Sequence, residues 1–208
     1  MRGRFITFEG GEGLGKSTQI ERAAGWLRTT GREVVVTREP GGTPRGERLR
    51  ELLLERSTEP MPPSCELLLI FAARANHVAN LIEPALTSGA WVLCDRFTDA
   101  SHAYQGGGRG MAESQIDALA KLAHPSLTPD LTLLLDAPVA LGLARAGARH
   151  GLAPDRFESE RQEFFERVRN AYLERARREP QRIRIVDASG SIDEVQQAVR
   201  SALSALLT

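Results

Sequence analysis

The chain has 208 residues, 41% of them hydrophobic and 26% charged, which suits one domain with a substantial core. Basic and acidic side chains number 27 each, and the net charge of zero argues against a broad nucleic-acid-binding face. With only Cys65 and Cys94, and no apolar run near about 18 residues, no disulfide framework, zinc site, thiol nucleophile or membrane span is expected.

Strand and helix patterns alternate along the chain. Residues 4–8 read as a strand, 16–29 as a helix and 33–37 as a β-branched second strand. The first strand pattern begins at once, so no signal peptide is expected, and a reducing cytoplasm is the expected setting. A turn-rich stretch from Arg38 to Pro44 precedes a predicted helix over 45–55. After a proline-rich break, Ser64 is placed to cap a helix over 64–88, which Pro84 is expected to kink. Trp91-Val92-Leu93-Cys94 is a third strand that runs into Asp95. Residues 96–110 hold a glycine cluster and read as a loop, followed by a helix over 111–124. A fourth strand, 131–135, is apolar enough for burial on both faces. Helices over 139–148 and 157–179, a fifth strand at 182–186 and a helix over 192–207 complete the pattern. Five strands with helices between them imply α/β architecture: a five-stranded parallel sheet flanked by helices, in three α/β/α layers. Ligands in such folds sit beyond the carboxyl ends of the strands.

The chemistry-bearing residues cluster at those ends. Gly10, Gly15, Lys16 and Ser17 satisfy G-x-x-x-x-G-K-[ST] between a strand and a helix. Gly10, Gly11, Gly13 and Gly15, with Glu12 and Leu14, form a loop whose backbone can approach phosphate closely, and the N-terminus of the next helix, from Lys16 through Thr18, favours an anion. Lys16 brings a charge to the β/γ-phosphates and Ser17 a hydroxyl to Mg²⁺. A chance glycine turn is the alternative, and the strand–loop–helix context argues against it. Asp95, ending an apolar strand, suits a Mg²⁺-organising carboxylate; a strand-end turn aspartate is the plain alternative. Arg96 binds phosphate or is a surface arginine, and Arg74 faces either solvent or site. Arg38, at a strand end, faces the site. Glu12 repels phosphate, which fits a sugar hydroxyl partner or a solvated loop. The basic segment at about 145–157 is a candidate lid in an otherwise single domain spanning 1–208; a solvated variable loop is the alternative.

Taken together, these motifs resemble thymidylate kinases over nearly the whole chain. The resemblance rests on Phe8 through Thr18, Arg38-Glu39-Pro40-Gly41-Gly42-Thr43, Phe71-Ala72-Ala73-Arg74, the stretch Asp95 to Gly110 and Asp155-Arg156-Phe157-Glu158. It implies the P-loop NTPase fold, ATP as phosphoryl donor with Mg²⁺, dTMP as acceptor and dTDP as product. It further implies that Glu12 binds the dTMP sugar and that Arg38, Arg74 and Arg96 surround its phosphate and base. Ser101 and Gln105 match residues that hydrogen-bond thymine, and Tyr104 the aromatic residue beside the sugar. Asp95 matches the acid near Mg²⁺ and the phosphates, and Arg149 the lid arginine of bacterial-type members, a role that fits Gly13 in the phosphate loop. Where many members carry a base-stacking phenylalanine, this chain has Ile70; Phe71 follows and either stacks on the base or packs in the core. A homodimer is implied, with the 64–88 helix contributing. A kinase for another pyrimidine monophosphate such as dUMP, or a nucleotide-binding switch protein, would share part of this pattern.

Overall fold

The computed structural model describes residues 2–55, 57–147, 156–157 and 160–207. The strands are β1 (Phe5–Glu9), β2 (Val34–Arg38), β3 (Trp91–Asp95), β4 (Leu131–Asp136) and β5 (Ile183–Asp187). All pair in parallel, in the order β2-β3-β1-β4-β5. Parallel neighbours require crossover connections, and these carry α1 (Lys16–Thr29), α2 (Pro44–Leu54), α3 (Pro63–His77), α4 (Glu83–Ser88), α5 (Thr98–Ser101), α6 (Glu113–Ala123), α7 (Val139–Gly147) and α8 (Gln162–Arg178), while α9 (Ile192–Ser204) follows β5.

The core lies on both sheet faces, which is why the strands read as apolar runs. On one side Ile6, Phe8, Leu93, Leu133 and Leu135 meet Ile20, Ala24 and Leu27 of α1 and Val195, Val199 and Leu203 of α9. On the other, Phe5, Val92 and Cys94 meet Val78, Ile82, Leu86 and Phe97, while Leu134 and Ile183 meet the aromatic side of α8. Each fully buried leucine in these layers contributes about 1.5–3 kcal/mol by area removed from water. The register sets Phe8 beside Asp95 and Arg38 beside Asp95, so the carboxyl ends of β1, β2 and β3 come level.

Two expectations need correction. Residues 96–110 are not a loop: α5 runs directly into a wide, π-helical turn, His102–Gly108. Its glycines serve close approach to α8. A Cβ on Gly107 would lie 2.6 Å from Ala171 Cβ, and one on Gly108 2.5 Å from the Phe164 ring. The 64–88 helix starts at Pro63 rather than under a Ser64 cap, and it passes through a second wide turn, Val78–Ile82, before α4. Pro84 has no N–H to donate, and the widened turn ahead of it absorbs that loss. The stretch Pro63–Ser88 is long and apolar enough to cross a bilayer by length and composition, with a mean hydropathy of 1.3, but half of that window is buried in the protein. Val78, Ile82 and Leu86 pack it against the sheet as a core element.

Candidate active site

The loop between β1 and α1 wraps the end of the sheet. Gly13 (φ 69°) and Gly15 (φ 80°) sit in the left-handed region, and a Cβ on Gly13 would lie 1.9 Å from the carbonyl oxygen of Gly142. Lys16 is buried, and its Nζ donates to the carbonyls of Gly10 at 3.2 Å and Gly11 at 2.8 Å. Burial, and then the neighbouring Arg96, push the Lys16 pKa below its usual value, opposed by Asp95, Glu12 and Glu9. An ammonium held on carbonyls and short of compensation has much to gain from phosphate oxygens.

This loop opens onto a cavity of about 300 Å³. Glu12 through Ser17 line one wall of it; Arg38, Arg74, Asp95, Arg96, Ser101, Tyr104 and Gln105 are among the residues that line the rest. The expected donor-side and acceptor-side residues therefore meet in one space. Gly10 and Gly11 border a neighbouring small cavity at the end of β4, and Thr18, the third residue of α1, is exposed. Arg149 lies outside the described residues, as does most of the 145–157 segment.

Arg96 follows β3 with φ 71°, the one non-glycine residue at positive φ among the described residues. Such a conformation costs on the order of 1 kcal/mol and persists where the surroundings impose it. Here they do. Its guanidinium donates to the Gly10 carbonyl (3.0 Å), the Tyr172 hydroxyl (3.2 Å), Glu12 Oε1 (2.6 Å) and the Tyr104 hydroxyl (2.9 Å). It also lies 4.7 Å above the Tyr104 ring. Glu9 fixes the turn from below: Oε1 accepts from the Phe97 amide at 2.7 Å and Oε2 from the Tyr172 hydroxyl at 2.6 Å. Burial, and then Asp99, raise Glu9 to about 7. Glu12 behaves oppositely. Burial alone would raise it, but Arg96 and Lys16 hold it at about 2.

Arg74 is fully buried. It donates to Glu39 Oε2 (2.6 Å), Ser101 Oγ (3.0 Å) and the Phe97 carbonyl (3.1 Å). Glu39 also receives His77 Nδ1 at 3.0 Å, and Arg74 and His77 together keep its pKa low against the cost of burial. Gln105 Nε2 donates to Glu66 Oε1 at 2.8 Å. Arg38 is more exposed and pairs with Glu47 at 2.8 Å. Phe71 packs with Leu67 and Ile116, with the Arg74 guanidinium 4.5 Å over its ring, which agrees with the core reading of that residue, while Ile70 lines the cavity.

Asp95 Oδ1 is shielded from solvent with no hydrogen-bond partner among the described residues. Across the same cavity Ser17 presents an exposed hydroxyl. Two hard oxygen donors, one of them an orphaned carboxylate oxygen, fit a Mg²⁺ ion that draws its remaining ligands from phosphates and water. Among the described residues no group of three or more acidic, histidine or cysteine side chains forms a self-sufficient metal cage. Sequence reasoning gave no role to Glu9, Glu39, Glu66 or Tyr172. The first two lie inside the quoted motifs, so their positions were visible there; Glu66 and Tyr172 meet the site only through the fold.

The geometry has close counterparts. The thymidylate kinase family profile matches residues 8–199. A thymidylate kinase of Pseudomonas putida (strain W619) is 58% identical over 203 residues, covering 98% of this chain and 97% of its own. One from Alkalilimnicola ehrlichii is 56% identical, covering 100% and 95%. The crystal structure of thymidylate kinase from Ehrlichia chaffeensis superposes with a TM-score of 0.80 at 32% identity, covering 98% of this chain and 100% of that one. A profile spanning nearly the whole sequence, on a sheet that brings these motifs to one cavity, shows that the chain belongs to the thymidylate kinase family.

Proposed function

We propose that the chain transfers the γ-phosphoryl group of ATP to the 5′-phosphate of dTMP, giving ADP and dTDP for dTTP synthesis. The observation that carries this reading is the single cavity that joins Lys16 and Ser17 to Arg96, Glu12 and the buried polar groups of Arg74, Ser101 and Gln105.

A dTMP phosphate oxygen attacks the γ-phosphorus in line, and the bond to the β–γ bridging oxygen breaks, without a covalent enzyme intermediate. Lys16 leaves the Gly10 and Gly11 carbonyls for the β/γ-phosphates. Arg96, held rigidly on four partners, meets the phosphates at fixed geometry, so little reorganisation is needed during transfer. Asp95 and Ser17 would hold a Mg²⁺ ion, which when bound would supply charge neutralisation at the phosphate oxygens. Glu12 and Tyr104 face the sugar, and Arg38 the acceptor phosphate. The 145–157 segment is the proposed lid; it brings Arg149 to the transferred group and excludes water. The exposed Leu68 of α3 is an apolar side chain on the 64–88 helix, which supports a homodimer to which that helix contributes. A cytoplasmic setting suits the buried, unpaired Cys94 thiol and the exposed Cys65.

dUMP is the second acceptor to weigh, because uracil shares the polar edge of thymine. The test is ADP release from Mg-ATP with dTMP, dUMP, dCMP, UMP, AMP and GMP, against a no-acceptor control. Turnover that is fast with dTMP is the expected result. Preference for another acceptor moves the substrate, and release without any acceptor rejects the kinase reading in favour of a nucleotide switch.

A further inference from the structure

Glu66 lies on α3, outside the cavity lining, with 1% of its surface exposed. Its carboxylate is the meeting point of three side chains. Arg156 Nη2 donates to Oε2 at 2.5 Å, Arg109 approaches both oxygens at 3.3 and 3.4 Å, and Gln105 Nε2 donates to Oε1 at 2.8 Å. Two guanidinium groups neutralise the charge. An ionised carboxylate has acceptors only, so of the two ends of the Gln105 amide it can receive only the NH₂ end. That choice fixes the other end. Gln105 is itself 2% exposed and lines the cavity, so its carbonyl Oε1 is the end left for a ligand.

Beside it Ser101 Oγ already accepts from Arg74 Nη1 at 3.0 Å, which leaves the Ser101 proton to be donated elsewhere. The wall thus offers a hydroxyl donor next to an amide acceptor. A 4-oxo pyrimidine with an N3–H presents the complementary pair. Cytosine presents an amino group and a bare N3; the Ser101 hydroxyl can turn to accept from the amino group, but the bare N3 and the Gln105 carbonyl are both acceptors, and a buried unmatched pair of this kind lowers affinity about tenfold or more.

We infer that Glu66 is a specificity-determining positioning residue: through Gln105 it sets the hydrogen-bond polarity of the base subsite for N3–H pyrimidines. The inference rests on the nucleotide-kinase reading above. Glu66 does not touch the nucleotide, so its effect must appear as a change in discrimination. A loss common to all nucleotides would be a structural effect.

The experiment measures Kd for dTMP and for dCMP by calorimetry, in wild type, Glu66→Gln and Glu66→Asp. A ratio of dissociation constants does not depend on the fraction of protein that is folded. A glutamine at 66 offers both a donor and an acceptor, so the Gln105 amide can turn over, and the dCMP/dTMP ratio is expected to fall about tenfold or more. Glu66→Asp keeps an acceptor-only carboxylate and is expected to hold the ratio near wild type while weakening both nucleotides. A Glu66→Gln ratio equal to wild type overturns the inference. If Glu66→Gln does not fold, the wild-type protein decides by NMR, with the Gln105 side-chain signals assigned by their loss in Gln105→Leu. Addition of dTMP is expected to move the Gln105 carbonyl ¹³C downfield and leave the amide protons in place, and the reverse pattern overturns the proposal. Wild-type protein that binds no pyrimidine monophosphate refutes the underlying reading as well, a result distinct from an unchanged ratio.

Discussion

Glu12 Oε1 accepts the Arg96 Nη2 proton at 2.6 Å, so an acid in the phosphate loop and the arginine after β3 hold each other across the cavity floor. The Tyr104 hydroxyl donates to the same oxygen at 3.0 Å. The pair accounts for how a carboxylate would be tolerated beside the phosphates of the proposed substrates: it is already committed to a cation. Replacing Glu12 with glutamine removes the charge that orients Arg96. The expected result is a fall in kcat/KM for dTMP of about 10²-fold, by analogy with loss of one preorganised electrostatic partner. Steady-state kinetics check it, and near-normal kcat/KM would remove Glu12 from the acceptor site.

Lys16→Ala is expected to lower kcat by at least about 10²–10³-fold with the fold intact, since among the described residues that ammonium hydrogen-bonds to two loop carbonyls and its burial is costly. Circular dichroism with single-turnover kinetics separates the two effects. Substantial residual kcat would contradict its role at the phosphates.

The pH dependence of stability should carry the signature of Glu9. Its usual value of 4.5 rises to about 7 in the folded chain, through burial first and Asp99 second. Between about pH 4.5 and 7 the native state keeps a proton that the unfolded chain has released. The contribution of Glu9 therefore falls as pH rises through that window, by on the order of 3 kcal/mol in all. Glutamine mimics the protonated form. Glu9→Gln should match wild type near pH 5 and gain relative stability by pH 8 in urea unfolding. A difference that does not vary with pH would contradict this account.

Arg74 and Glu39 form a buried pair, each about 2% exposed. Removing one partner strands the other, which typically costs about 3–5 kcal/mol. Arg74→Met should therefore lower the melting temperature sharply as well as weaken dTMP binding. By contrast Arg38→Ala, whose guanidinium is largely exposed, should weaken dTMP binding and leave melting nearly unchanged.

The sequence shows the frame of this site because strands and helices alternate cleanly and the phosphate-loop glycines have no apolar disguise. It conceals what tertiary packing decides. The glycines at 106–108 read as loop-forming by propensity, yet they lie in a helical turn, in which the missing side chains of Gly107 and Gly108 let α8 approach. Ile70 and Phe71 differ by one residue, which on a helix is a rotation of about 100° and moves a ring from cavity to core. Glu66 and Tyr172 act across sequence separations that no local pattern spans: Glu66 meets Arg156, and Tyr172 meets Glu9.

The most direct test of the central claim follows the phosphoryl group itself. Wild-type protein with [γ-³²P]ATP, Mg²⁺ and dTMP is expected to move label into dTDP, identified by ion-exchange separation, with ADP formed in equal amount and no label transfer to AMP or GMP. Label released as inorganic phosphate, or retained in ATP while dTMP is bound, would contradict the assignment of this chain as a dTMP kinase.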